Sequence, residues 1–230
     1  MKKSLDIIST TLVAIAAAFF LWTQVETRWG RPRNDGQPHD VDGLAIDASA
    51  VRHSKGTANI ALVEFTDYEC RFCSRHALQT TPDIDKQLVE TGALRHIVFN
   101  FPLESLHPKV RKAHEAAECA ARQGRYWQMH QSLFSGSPFA LEDLLKLGGT
   151  LGLDDAAFKQ CLGGEAADVV TADLNEGRRL GVTSTPTFFV GVVQPDGSIQ
   201  LVKRILGAKP FEDFRKTVEA VAVASKSKQG

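Results

Sequence analysis

Asn59-Ile-Ala-Leu-Val-Glu-Phe65 runs directly into Thr66-Asp-Tyr-Glu-Cys-Arg-Phe-Cys73, and the reading of this stretch decides the fold. The first half is a compact apolar run of the kind that forms a buried strand. The helical pattern that follows begins within the second half, which puts Cys70 at a helix N-terminus. Free N–H groups and partial positive charge there stabilise a thiolate, the nucleophilic form of cysteine. Arg71 adds a neighbouring cation, and Arg71 and Phe72 together tune whatever chemistry the pair performs. Cys73 falls one turn into the helix, shielded and suited to resolve a mixed disulfide on Cys70.

Cys-x-x-Cys alone is also half of many zinc sites. Here Cys119 and Cys161 are distant singles, and the seven histidines form no paired ligand motif. A merely structural Cys70–Cys73 bridge would stabilise little, because it closes so short a loop. The setting therefore favours a redox pair and no metal, with a Cu(I)- or Zn-binding module as the alternative from another class.

Outward from this centre, Phe72 to Glu90 reads as a helix that Pro82 should kink or interrupt. Leu94 to Phe101 is a second strand, so strand, helix and strand form a βαβ unit with parallel strands. Helical patterns follow at Val110 to Gln123, Tyr126 to Phe134, Leu141 to Leu151 and Asp155 to Leu162, and a further helix from Ala166 to Leu180 stops at Gly181. Thr187 to Val193 and Ile199 to Ile205 are strands joined by the turn Gln194-Pro-Asp-Gly197, and Phe211 to Ala224 is a closing helix before a polar tail at 225–230. No repeat is present. The expected fold is α/β, a βαβ–ββα core at 54–224 with an all-helical insertion at about 108–165.

The 230 residues carry 27 basic and 27 acidic groups, so no global charge points to nucleic acid. No Gly-rich phosphate loop is present, and the sequence asks for no cofactor. Residues 7–25, between Asp6 and Glu26, hold no formal charge and would span about 28 Å as a helix, the thickness of a bilayer core. Lys2 and Lys3 precede the segment, and Trp22 and Trp29 flank its far end. We expect 1–29 to be a single-pass membrane anchor, with the domain in the periplasm or otherwise outside the cytoplasm; the alternative is a cleaved signal and a soluble periplasmic protein. Residues 30–53 read as a polar linker, with a short edge strand near Leu44 to Val51.

Val63-Glu-Phe-Thr-Asp-Tyr-Glu-Cys-Arg-Phe-Cys73 resembles the active-site segment of the DsbA family of thioredoxin-like proteins. Gly181-Val-Thr-Ser-Thr-Pro-Thr-Phe-Phe-Val190 resembles that family's cis-proline loop, and the helical block matches its insertion. The resemblance runs from about Lys55 to Val218. It implies a thiol–disulfide oxidoreductase that forms disulfides in exported proteins, with a reductase or isomerase as the alternative. Pro186 is then expected to follow a cis bond, and Thr185 to offer backbone groups to an extended substrate. Glu64 matches a buried acid whose pKa rises toward neutrality, a proton relay to the resolving cysteine. His76 is expected at the surface. The resemblance also implies reoxidation by a quinone-linked membrane partner, DsbB-like or equivalent. Some relatives carry a disulfide in the insertion, and two lone thiols outside the cytoplasm tend to pair; a Cys119–Cys161 bridge is expected to contribute roughly 3–4 kcal/mol. One departure concerns potential: Phe72 stands where strong oxidants often have His, and it offers Cys70 no hydrogen bond.

Overall fold

The computed structural model describes residues 38–136 and 139–227. The expected anchor at 1–29 lies outside the described residues. Among those described, no helix is long and apolar enough to cross a membrane.

The centre of the fold is β4 (Ile60–Thr66), buried at every residue. Such a strand reads as a nearly continuous apolar run because both of its faces are covered. Ala61, Val63 and Phe65 enter one cluster, with Ile97, Phe99, Phe101 and Leu174. Ile60 and Leu62 enter the other, with Ile84, Leu88, Phe188 and Phe214. β4 pairs in parallel with β5 (Arg95–Asn100), as the βαβ reading requires, and antiparallel with β6 (Thr187–Val193). β7 (Ile199–Leu206) continues the sheet beyond β6.

The sheet extends further than the sequence suggested. β1 (His39–Asp40) and β2 (Ala45–Ile46) pair with β7, and β3 (His53–Lys55) pairs with β5, giving the order β1-β7-β6-β4-β5-β3. The described part of the expected linker, 38–53, is thus largely a sheet-edge segment. Its reason is packing: Ile46 is fully buried, and Val41, Leu44, Ala50 and Val51 lean on the same cluster. Ending the sheet on strands of two and three residues also shortens the open ladder that invites association.

The helix after Cys70, α1, is one continuous run assembled from Arg71–Arg75, His76–Thr80, Thr81–Ile84 and Asp85–Val89, the second and fourth parts being wider π-type turns. Pro82 does not break it. The widened turn just ahead opens the hydrogen-bond ladder where the proline ring would otherwise press on the preceding turn.

The insertion comprises α2 (Val110–Ala121), α3 (Tyr126–Phe134), α4 (Leu141–Thr150) and α5 (Asp155–Gln160), the last running on through Cys161–Glu165. Its core joins Met129, Leu133, Leu144 and Phe158 to Tyr68, Cys70 and Cys73, so the cysteine pair sits where insertion and sheet domain meet. α6 (Ala167–Arg179) returns to the sheet. A Cβ on its Gly177 would lie 2.5 Å from the Phe101 ring, so glycine is what allows helix and strand to approach. Gly181 follows with φ +72°, which ends the helix as expected. α7 (Phe211–Ser227) covers the opposite face through Phe214, Val218 and Val221.

Cys119 and Cys161 are joined as a disulfide that ties α2 to the end of α5 across 42 residues of sequence. Replacing both by Ala should lower unfolding free energy by about 3–4 kcal/mol if the chain-entropy account holds. Urea unfolding of the double variant beside the native chain measures this, and an unchanged midpoint would contradict it.

Candidate active site

Cys70 is the N-cap residue of α1, in extended conformation, and is 8% exposed; Cys73 is wholly buried. Both are free thiols. The Cys70 thiol donates to the Thr185 carbonyl at 3.4 Å, so β4–α1 and the loop before β6 converge on one sulfur. The Thr185–Pro186 peptide is cis. The Thr185 hydroxyl is buried without another hydrogen-bond partner and faces the two sulfurs.

The two thiols are driven apart electrostatically. Cys70 is lowered to about 5. The hydrogen bond from Cys73 contributes most; the Thr185 hydroxyl and the N–H groups of Cys73 and Phe72 outweigh desolvation with it. Cys73 is raised well above the ordinary thiol value, first by burial and then by the charge on its partner. One sulfur is therefore a thiolate at neutral pH while the other holds its proton. The environment supplies from Thr185 and the helix terminus the stabilisation that the Phe72 side chain does not.

Sequence reasoning passed over Asp67, which shapes this turn. Its fully buried carboxylate accepts from the backbone N–H of Glu69 (2.8 Å), Cys70 (3.1 Å) and Leu103 (2.7 Å), and contacts His107 Nδ1 at 3.1 Å. An aspartate two residues ahead of a chain reversal is the local signal for such an Asx-type turn.

Glu64 corrects an expectation. It is 1% exposed and burial alone would raise its pKa, yet it is lowered to about 2. The cause is His96, whose Nε2 lies 3.1 Å from Oε2. His96 is raised, because Asp85 and Glu64 outweigh its own desolvation. His76, expected at the surface, is instead fully buried between Phe188 and Phe214, 3.8 Å from Glu64. Burial lowers it to about 4, and His130 to about 3, so both are neutral at pH 7, while Asp85 and Glu64 favour the charged form of His96. Glu64 is a permanent carboxylate at neutral pH rather than a protonated acid.

Among the described residues, no group of three His, Cys, Asp or Glu side chains is placed to hold a metal.

A nucleophilic thiolate at a helix terminus, a shielded second thiol three residues on and a cis-proline loop against the first sulfur together form the arrangement that thiol–disulfide exchange requires. The chain belongs to the thioredoxin family: residues 54–206 match the family model described as thioredoxin. Its fold is DsbA-like. It resembles α-DsbA1 of Wolbachia pipientis with a TM-score of 0.66 and 23% identity, over 77% of this chain and 94% of that one. It also resembles oxidised BdbD of Bacillus subtilis with a TM-score of 0.63 and 20% identity, over 79% and 98% of the two chains. A curated relative, Na(+)/H(+) antiporter NhaA 3 of Salinispora tropica, is 36% identical over 140 residues, 58% of this chain. The chain spans about a fifth of the length of the first such relatives.

Two titrations test the electrostatics. Thiolate absorbance near 240 nm in the reduced protein should rise with a midpoint close to pH 5, and that step should vanish in Cys70→Ser; a midpoint at the ordinary thiol value would sink the assignment. For the buried pair, Glu64 supplies stability above its unfolded pKa that is lost as pH falls through about 2. His96 supplies stability below its unfolded pKa that is lost as pH rises through its raised value. Glu64→Gln should therefore cost most, about 2–3 kcal/mol, near pH 5 to 6, and less in alkali. Urea unfolding across pH measures this, and a cost that grows steadily into alkali would contradict it.

Proposed function

We propose that this chain forms disulfides in exported proteins through Cys70 and Cys73. The carrying observation is the Cys70 sulfur, held as a thiolate beside a protonated Cys73. A stabilised thiolate favours the reduced protein, which makes the corresponding disulfide a stronger oxidant.

A substrate thiolate attacks Sγ of Cys70 in the Cys70–Cys73 disulfide. The electron pair of that bond passes to the Cys73 sulfur, which takes up a proton. A second substrate thiolate then attacks the substrate sulfur of the mixed disulfide. The substrate leaves as a disulfide, and Cys70 departs as a thiolate of low basicity, which is a good leaving group. Two electrons have moved from substrate to protein. The Thr185 carbonyl and its neighbours supply backbone groups against which an extended substrate segment adds, next to the sulfur that must be attacked.

Reoxidation is assigned to a quinone-linked membrane partner, DsbB-like or equivalent, on the DsbA-family resemblance. The uncharged segment at 7–25 supports an anchor that keeps the two close, with the domain outside the cytoplasm. The Cys119–Cys161 bridge supports the same compartment, since such bonds persist where the surroundings are oxidising.

The reduction potential decides the direction. The full chain is equilibrated against glutathione buffers, trapped with acid and counted for free thiols. We expect a value near about −120 to −180 mV, where donors of disulfides poise. A value near about −270 mV would make the chain a reductant and overturn the oxidase reading.

A further inference from the structure

Phe72 stands 46% exposed between the two cysteines, and two guanidinium groups lie against its ring: Arg71 at 5.5 Å and Arg75 at 5.2 Å from the centroid. Arg71 also lines a cleft of about 540 Å³ beside the active-site turn, shared with Lys109 and the apolar walls of Tyr68, Leu133, Phe134 and Phe139. Arg71, Arg75 and Lys109 are all exposed, and among the described residues none has a carboxylate partner. Glu69 is the acid on the cleft wall, so the cations Arg71 and Lys109 outnumber it there. The chain as a whole is neutral, which makes this a local concentration of charge.

A guanidinium resting on an aromatic face keeps its edge N–H donors free for a carboxylate in its own plane. Charge complementarity thus names the occupant. We propose that Arg71, Arg75 and Lys109, arranged around Phe72, select polypeptide segments whose reacting cysteine is flanked by Asp or Glu, with an apolar side chain of the segment entering the cleft that Tyr68, Leu133, Phe134 and Phe139 line. The proposal rests on the thiol–disulfide reading and adds the class of substrate segment to it. Selection works mainly through the rate of encounter, because exposed charges steer association more than they tighten the final contact.

The test uses the full chain with Cys70–Cys73 oxidised and three cysteine peptides that differ only in flanking residues: Asp, Ser or Lys. Acid-quenched mixtures give the rate at which each peptide reduces the protein. Each rate is divided by that peptide's rate with 2-hydroxyethyl disulfide, which removes differences in intrinsic thiol reactivity. The normalised Asp rate should exceed the Lys rate by about tenfold at low ionic strength and converge with it at about 0.5 M salt. In the variant Arg75→Glu with Lys109→Glu the ratio should fall to about one or invert. Both peptides attack the same sulfur, so any change in Cys70 itself cancels in the ratio. A native ratio near one, or a ratio unmoved by the two charge reversals, would overturn the proposal while the Ser peptide still reacts. Failure of all three peptides to reduce the protein would remove the exchange reading and this proposal with it.

Discussion

The Asp67 carboxylate is the constraint on which the site's geometry depends. It is anchored at the end of β4, and it binds the N–H groups of Glu69 and Cys70 on one side and of Leu103 on the other. Those bonds fix how the chain leaves the sheet and enters α1. They also fix the loop after β5 that leads to the helical insertion. A carboxylate this deeply buried is tolerated because N–H donors and His107 satisfy it. Without that clamp the N-cap position of Cys70 would rest on its backbone bonds to Asp67 and Ser74 and on the Thr185 loop.

From that fixed turn the electrostatic asymmetry follows. Cys70 faces helix N–H groups and a hydroxyl, while Cys73 faces the apolar core of the insertion. The same fold places a second asymmetric pair below, on the α1 and α7 face of the sheet. There Glu64 and His96 neutralise each other, and His76 stays uncharged between two phenylalanines. Both places follow one rule. A buried group whose charged form is favoured by hydrogen bonds keeps its charge, and a neighbour for which desolvation outweighs them remains neutral.

Much of this was legible in the residues. The apolar run of β4, the position of Cys70 ahead of a helical pattern, the helices of the insertion and the stop at Gly181 are local signals, and local signals survive in sequence. Glu64 was legible as an acid inside a strand, but its state was not. Its partner His96 stands opposite Leu62, two residues from Glu64's own neighbour Val98, and only strand register brings the two side chains to one face. His76 was misread although it lies three residues after the shielded Cys73 on a similar helix face, and that face of α1 turns toward Phe188 and Phe214. The strands at His39–Asp40 and Ala45–Ile46 are two residues each, too short for any periodicity, and the edge of β7 specifies them rather than their own composition.

A protein that carries a reactive thiolate carries a hazard to its own covalent structure, since a thiolate attacks any disulfide it can approach in line. Here the second bridge belongs to the same apolar cluster as the reactive pair, yet Cys119 is 1% exposed and Cys161 4%. Solvent, small thiols and the Cys70 of a neighbouring copy all find it closed off. The core of the insertion therefore serves as insulation as well as packing. It separates sulfur that must exchange from sulfur that must not, and it lets one small domain hold a permanent cross-link alongside a labile one.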